Sequence, residues 1–205
     1  MESFLDNDII LKLSAAGLLE KIEEIYKVDS SSIYVLPSAP FYFKNNPKLK
    51  KKYDSETIER TKEATEKYSV IPDKYIDGEK FQRLADINKI DSGEQILFSL
   101  TPQTEEFLIL TGDKNSISAL NNAEGVDDIK AYLKDKIIFL EELMLVFIKK
   151  EGFEKISKSV SAANFCFDKV LRTCFNQTKA DEEKVIACLE SYVKAQRQSC
   201  PNLFR

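Results

Sequence analysis

Short apolar runs alternate with amphipathic stretches along most of this chain. Glu2 to Leu5 reads as a short first strand, and Ile33-Tyr34-Val35-Leu36 as a second, rich in β-formers and stopped by Pro37. Phe107 to Leu110 and Ile137 to Leu140 are further apolar strand candidates. Between the strands the period changes. Ile9, Leu13, Ala16, Leu19 and Ile22 recur at three-to-four spacing and predict a helix from about Asp8 to Ile25, with Gly17 inside it. Lys48 to Tyr68 is highly charged and helix-like, and Asp73 to Leu84 reads as a helix after Pro72. Gly93-Glu94 opens the next, Ser116 to Asn122 follows the third strand, and Glu142 to Lys150 follows the fourth. Strands alternating with helices imply an α/β fold with a parallel sheet covered on both faces.

After Gly152 the pattern is purely helical. Phe153, Ile156, Val160, Ala163, Phe167 and Val170 step by three or four, as do Val185, Leu189, Tyr192 and Gln196. Asn176 to Ala180 is the expected turn. The chain therefore divides into an α/β domain over 1–150 and a C-terminal helical hairpin over 151–205. Two helices with one stripe each cover one another only in part. The remaining apolar area is expected to pack on the sheet domain, with some left for a homodimer contact.

With 205 residues the chain is long enough for one domain with a buried core plus an appendage. Its net charge of −4 supplies no overall basic field for nucleic acid, so any such contact must be local or pass through metal ions. The complete lack of histidine removes His-based triads, His general bases and His-containing zinc sites. No apolar run approaches the length of a membrane span, and no secretion signal is legible at the N-terminus. Cys166, Cys174, Cys188 and Cys200 lack the C-x-x-C spacing of a metal site and read as unpaired thiols of a cytoplasmic protein.

Acidic residues mark three junctions between elements. Asp6-Asn7-Asp8 follows the first strand, Asp91-Ser92-Gly93-Glu94 opens a helix, and Asp113 follows Leu108-Ile109-Leu110-Thr111-Gly112. Asp6 and Asp113 each fit a plain helix cap, and Asp91 with Glu94 fits a capping box. In an open α/β sheet, however, ligands bind outside the carboxyl ends of the strands. A carboxylate cluster without His or paired Cys is the hard-ligand set that suits Mg²⁺ or Mn²⁺.

Leu5-Asp6-Asn7-Asp8-Ile9-Ile10, Asp91-Ser92-Gly93-Glu94 and Leu110-Thr111-Gly112-Asp113-Lys114, in that order, resemble the PIN-domain family of metal-dependent ribonucleases. The resemblance covers about residues 1–145. It implies a three-layer α/β/α fold around a parallel sheet of four or five strands, and an acidic Mg²⁺ or Mn²⁺ pocket that cleaves RNA endonucleolytically. Asp6, Glu94 and Asp113 would be the catalytic carboxylates, and Asp6, Asp8, Asp91, Glu94 and Asp113 the metal-holding set. By the same resemblance the setting is a toxin or defence nuclease restrained by an inhibitory protein partner or acting as a dimer. One departure stands out. The family places a Glu in the helix after the second strand, whereas Pro37 to Lys44 contains no acid, and Glu56 and Glu59 are the nearest beyond it. A catalytically degenerate PIN-like interaction module, or a different Mg²⁺ enzyme such as a phosphatase, is the alternative.

Lys44, Lys48, Lys50, Lys51 and Lys52 form a basic run beside Phe41, Tyr42, Phe43 and Tyr53. Basic residues interleaved with aromatics suit single-stranded nucleic acid, and Lys114 beside Asp113 is a further candidate RNA contact. The competing reading is a solvated helix face with its aromatics in the core. Phe165, Cys166 and Phe167 read as packing residues.

Overall fold

A computed structural model describes residues 1–175 and 181–205. The turn expected at Asn176–Ala180 lies outside the described residues. The chain runs β1 (Glu2–Leu5), α1 (Asn7–Ala15), α2 (Lys21–Tyr26), β2 (Ile33–Val35), α3 (Ala39–Asn45), α4 (Pro47–Lys52), α5 (Ser55–Lys67) and β3 (Ser69–Val70). It continues through α6 (Gly78–Ala85), α7 (Ser92–Phe98), β4 (Phe107–Thr111), α8 (Lys114–Asn122), α9 (Asp127–Leu133), β5 (Ile137–Phe139) and α10 (Leu140–Glu151). The last helices are α11 (Phe153–Ala162), α12 (Lys169–Phe175) and α13 (Glu182–Ser199).

The five strands form one parallel sheet in the order β3-β2-β1-β4-β5, flanked by helices. Strand β1 is central and buried along its whole length, because both its edges are paired and both its faces are covered. Ser3 pairs with Ile33 on one side and with Leu108 on the other. The strand order reverses between β1 and β4. That is the topological switch point, where an open α/β sheet leaves a crevice at the strands' carboxyl ends. Asp6 follows β1 and Asp113 follows β4, so both carboxylates stand at that crevice.

Four expectations about the elements are corrected. The helix expected over Asp8 to Ile25 is two helices, because the chain turns at Gly17 with φ of +65°, a left-handed conformation that glycine adopts without strain. The stretch Lys48 to Tyr68 is also two helices. Asp54 starts the second, its carboxylate accepting the Thr57 N–H at 2.6 Å. The expected helix at Asp73 begins as a 3₁₀ turn over Asp73–Tyr75 and restarts as α6, where Asp77 caps the Glu79 and Lys80 amides. Among the described residues the C-terminal segment forms three helices rather than a hairpin of two, since the stripe from Phe153 to Val170 breaks between Ala162 and Lys169.

The C-terminal helices share the core of the sheet domain. Leu189 on α13 is fully buried, and the Phe139 and Phe204 rings meet at 5.2 Å between centroids. The Arg197 guanidinium donates to Glu142 at 2.7 Å, tying α13 to the start of α10. The expectation of unpaired thiols is corrected as well. Cys174 and Cys188 are joined by a disulfide between α12 and α13, with their Cα atoms 5.7 Å apart, while Cys166 and Cys200 are buried free thiols. Sequence spacing could not disclose this, because the pair is made by helix packing. No described helix is long and apolar enough to cross a membrane.

Candidate active site

The crevice at the switch point opens into a pocket of about 750 Å³. Its lining includes all five predicted carboxylates, Asp6, Asp8, Asp91, Glu94 and Asp113. They come from three distant stretches of chain, so only the fold brings them together. Asp168 adds a sixth carboxylate, against three ammonium groups from Lys12, Lys114 and Lys169. With every group charged the wall carries a surplus of negative charge.

The acids differ in how they are used. Asp91 and Glu94 form a capping box. One Asp91 oxygen accepts the Gly93 and Glu94 amides at 2.8 and 3.0 Å, and Glu94 accepts the Asp91 N–H at 2.6 Å. Asp113 caps α8 by accepting the Asn115 and Ser116 amides at 2.7 and 3.1 Å. Asp6 stands at the N-cap of α1, yet its side chain makes no capping bond. Instead it accepts the Thr111 hydroxyl at 3.3 Å. The same hydroxyl oxygen accepts the Asp113 N–H at 3.1 Å, so Thr111 ties the Asp6 carboxylate to the backbone at Asp113. Thr111 belongs to the Leu110-Thr111-Gly112-Asp113-Lys114 motif, where its only signal is a hydroxyl at the end of a strand.

Asp8 pairs with Lys12 one turn along α1. Gly112 passes so close to Asp8 that a Cβ there would lie 2.9 Å from its Oδ2 and would displace that carboxylate. Asn7 also lines the pocket, and its buried side-chain oxygen has no hydrogen-bond partner. An unanswered buried acceptor is costly unless something donates to it or coordinates it.

The electrostatics follow from burial and crowding. Desolvation, reinforced by the charge of Asp8, raises the Asp6 pKa to about 6. Burial and the carboxyl of Asp91 raise Glu94 to about 8. Asp91 moves the other way. Burial opposes its charge, but the carboxyl of Glu94 and the helix amides hold its pKa below the usual carboxylate value.

Lys114 lines the pocket but is not a free cation. It is paired with the buried carboxylate of Glu141 and with Asp168, the latter at 3.2 Å. Asp168 in turn caps the start of α12 through the Leu171 N–H at 3.0 Å, and Lys114 helps to keep it ionised against the cost of burial. Asp168 is not recognisable from the sequence, because nothing local marks it as more than a cap. The wall that follows β2 is formed by Leu36, Ser38 and Tyr42, so no acid enters from there, and Glu56 and Glu59 lie on α5 outside the pocket lining.

Lys44, Lys48, Lys50, Lys51 and Lys52 are all exposed on α3 and α4, and none forms an ion pair among the described residues. Phe41 beside them is 74% exposed, whereas Phe43 is buried. Tyr53 is buried and meets Phe165 at 5.7 Å. Phe165 itself is half exposed, unlike the buried Cys166 and Phe167.

Among the described residues no three carboxylates converge tightly enough to hold an ion as they stand. The donor set still suits a hard cation. It is all oxygen, it includes an unpartnered Asn7 oxygen, and its raised pKa values reflect burial and crowding that a cation would relieve. Comparison with models of known protein families, with characterised proteins and with solved structures found no match.

Proposed function

We propose that the chain is a PIN-like, metal-dependent endoribonuclease whose Mg²⁺ or Mn²⁺ site is the acidic pocket. One observation carries this reading: carboxylates from after β1, before α7 and after β4 line a single crevice at the switch point of a parallel sheet. Asp6, Asp8, Asp91, Glu94 and Asp113 would hold the ion, with the Asn7 oxygen as a neutral donor. Such an ion supplies Lewis acidity toward a phosphodiester and acidifies water at neutral pH. Thr111 would hold the Asp6 carboxylate against the start of the turn that carries Asp113. Lys12 restrains Asp8. The exposed lysines from Lys44 to Lys52 would carry the RNA backbone toward the pocket, since each phosphate neutralised releases counterions.

The capping roles of Asp91, Glu94 and Asp113 favour the rival reading, a degenerate module in which these acids only start helices. The two differ in an assay on mixed single-stranded RNAs with Mn²⁺. The nuclease reading expects cleavage that stops with a chelator and is absent from Asp6→Asn, which has no cap to lose. Intact RNA at every Mn²⁺ concentration would support the module instead. We further propose cytoplasmic action with an inhibitory protein partner or as a dimer. A reducing cytoplasm keeps thiols reduced, so this reading requires the Cys174–Cys188 bond to be dispensable for cleavage.

A further inference from the structure

A smaller cavity, of about 260 Å³, opens beside the acidic crevice, and Asn115 lines both. Asn88 and Lys89, on the turn between α6 and α7, form one side of it. Asn115, Ser118, Ala119 and Asn122 form the other. These four recur at three-to-four spacing, so they share one face of α8, which leads away from the crevice for about 10 Å.

The lining differs from the crevice in charge. It has no carboxylate and one ammonium, that of Lys89, which forms no ion pair among the described residues. Asn88, Lys89, Asn115 and Asn122 are all exposed, so a ligand in the cavity can reach each of them. The side chains of Asn88 and Asn115 make no hydrogen bond among the described residues. Asn122 Oδ1 accepts from Asn121 Nδ2 at 3.0 Å, which leaves the Asn122 amide hydrogens free. Such amides donate and accept, so they can bond the edge of an unpaired base. Lys89 holds a φ of +72°, a left-handed conformation that glycine adopts at less cost. What lysine adds at that turn is its charge.

We propose that this cavity is a subsite for one unpaired nucleotide of an RNA strand whose neighbouring phosphodiester lies in the crevice. The inference rests on the ribonuclease reading above and adds that the substrate is single-stranded at this position. The Asn88, Asn115 and Asn122 amides bond the base edge, and Lys89 meets the phosphate. The cavity is smaller than the roughly 300–1,000 Å³ of a typical small-molecule site, which suits one unit of a longer ligand. With no carboxylate in its lining, it accepts a phosphate without a metal ion, as the crevice does not.

The probe is a single-stranded oligouridylate, titrated with Mg²⁺ into the full-length protein labelled with ¹⁵N. The side-chain amide signals of Asn88, Asn115 and Asn122, each assigned by its loss in the corresponding Asn→Ser variant, are expected to shift and saturate together. The same strand paired with oligoadenylate should leave Asn88 and Asn122 unmoved. Lys89→Gly relieves the left-handed backbone, so it should melt no lower than the parent. It should nevertheless bind the single strand at least about threefold more weakly, with a salt slope smaller by about 0.7, the share of one phosphate contact. A shift at Asn115 with Asn88 and Asn122 unmoved would place the strand in the crevice alone, overturning this inference and leaving the ribonuclease reading intact. No shift at any of the three at millimolar oligonucleotide overturns both. Unchanged affinity and salt slope in Lys89→Gly, or equal shifts with the duplex, overturn the subsite.

Discussion

At the scale of single residues, the acidic crevice distinguishes acids that start helices from an acid that does not. Asp113→Asn keeps a good cap, because Asn serves as well as Asp at that position. It should therefore lose metal-dependent cleavage while melting within a few degrees of the parent. Thr111→Val removes the hydroxyl that holds the Asp6 carboxylate and accepts the Asp113 N–H, and should weaken Mn²⁺ binding by about 10–100-fold, the usual cost of a partner that orients a ligand. An unchanged affinity would mean that Thr111 only packs. The raised pKa values also set a pH dependence. Asp6 and Glu94 hold their protons more tightly when folded than in the unfolded chain. That stabilisation is complete below about pH 4, and it is lost as pH rises through about 6 for Asp6 and about 8 for Glu94. The metal-free double variant Asp6→Asn, Glu94→Gln should accordingly lose less melting temperature than the parent between about pH 5 and pH 8.5. Parallel melting curves for the two proteins would show that these carboxyls are not perturbed.

At the scale of elements, the strongest patterns in the sequence became the sheet. The four apolar runs at Glu2, Ile33, Phe107 and Ile137 are all strands, because continuous apolar runs suit a sheet buried on both faces. The two-residue β3 escaped notice, since Ser69–Val70 has no apolar run to announce it and depends on pairing with β2. Asp6, Asp8, Asp91, Glu94 and Asp113 were legible as candidates because each stands at an element junction. Asp168 and Asn7 were not, because their places depend on how α12 and β1 meet the pocket. The basic run is now divided between two short helices, α3 and α4. Changing Lys50, Lys51 and Lys52 to Ala should weaken RNA binding and flatten its salt dependence. Unchanged affinity and slope would leave α4 as a solvated surface.

At the scale of the whole molecule, the C-terminal helices are part of the site as well as of the core. Asp168, Lys169 and Val170 line the crevice, while Leu189 and Phe204 pack into the shared interior. Leu189→Ala should cost about 2–5 kcal/mol in denaturant unfolding, as for a fully buried leucine in a single core. A cost near zero would mark α13 as a separate module. The central claim is that the assembled carboxylates bind a divalent cation. Its most direct test is a calorimetric titration of Mn²⁺ into the full-length protein and into Asp6→Asn side by side. Saturable binding to the parent, weakened more than about 100-fold in the variant, is the predicted result, because removing a ligand should exceed the cost of removing its partner. Equal heats in both proteins, or no saturable binding to the parent, would contradict it.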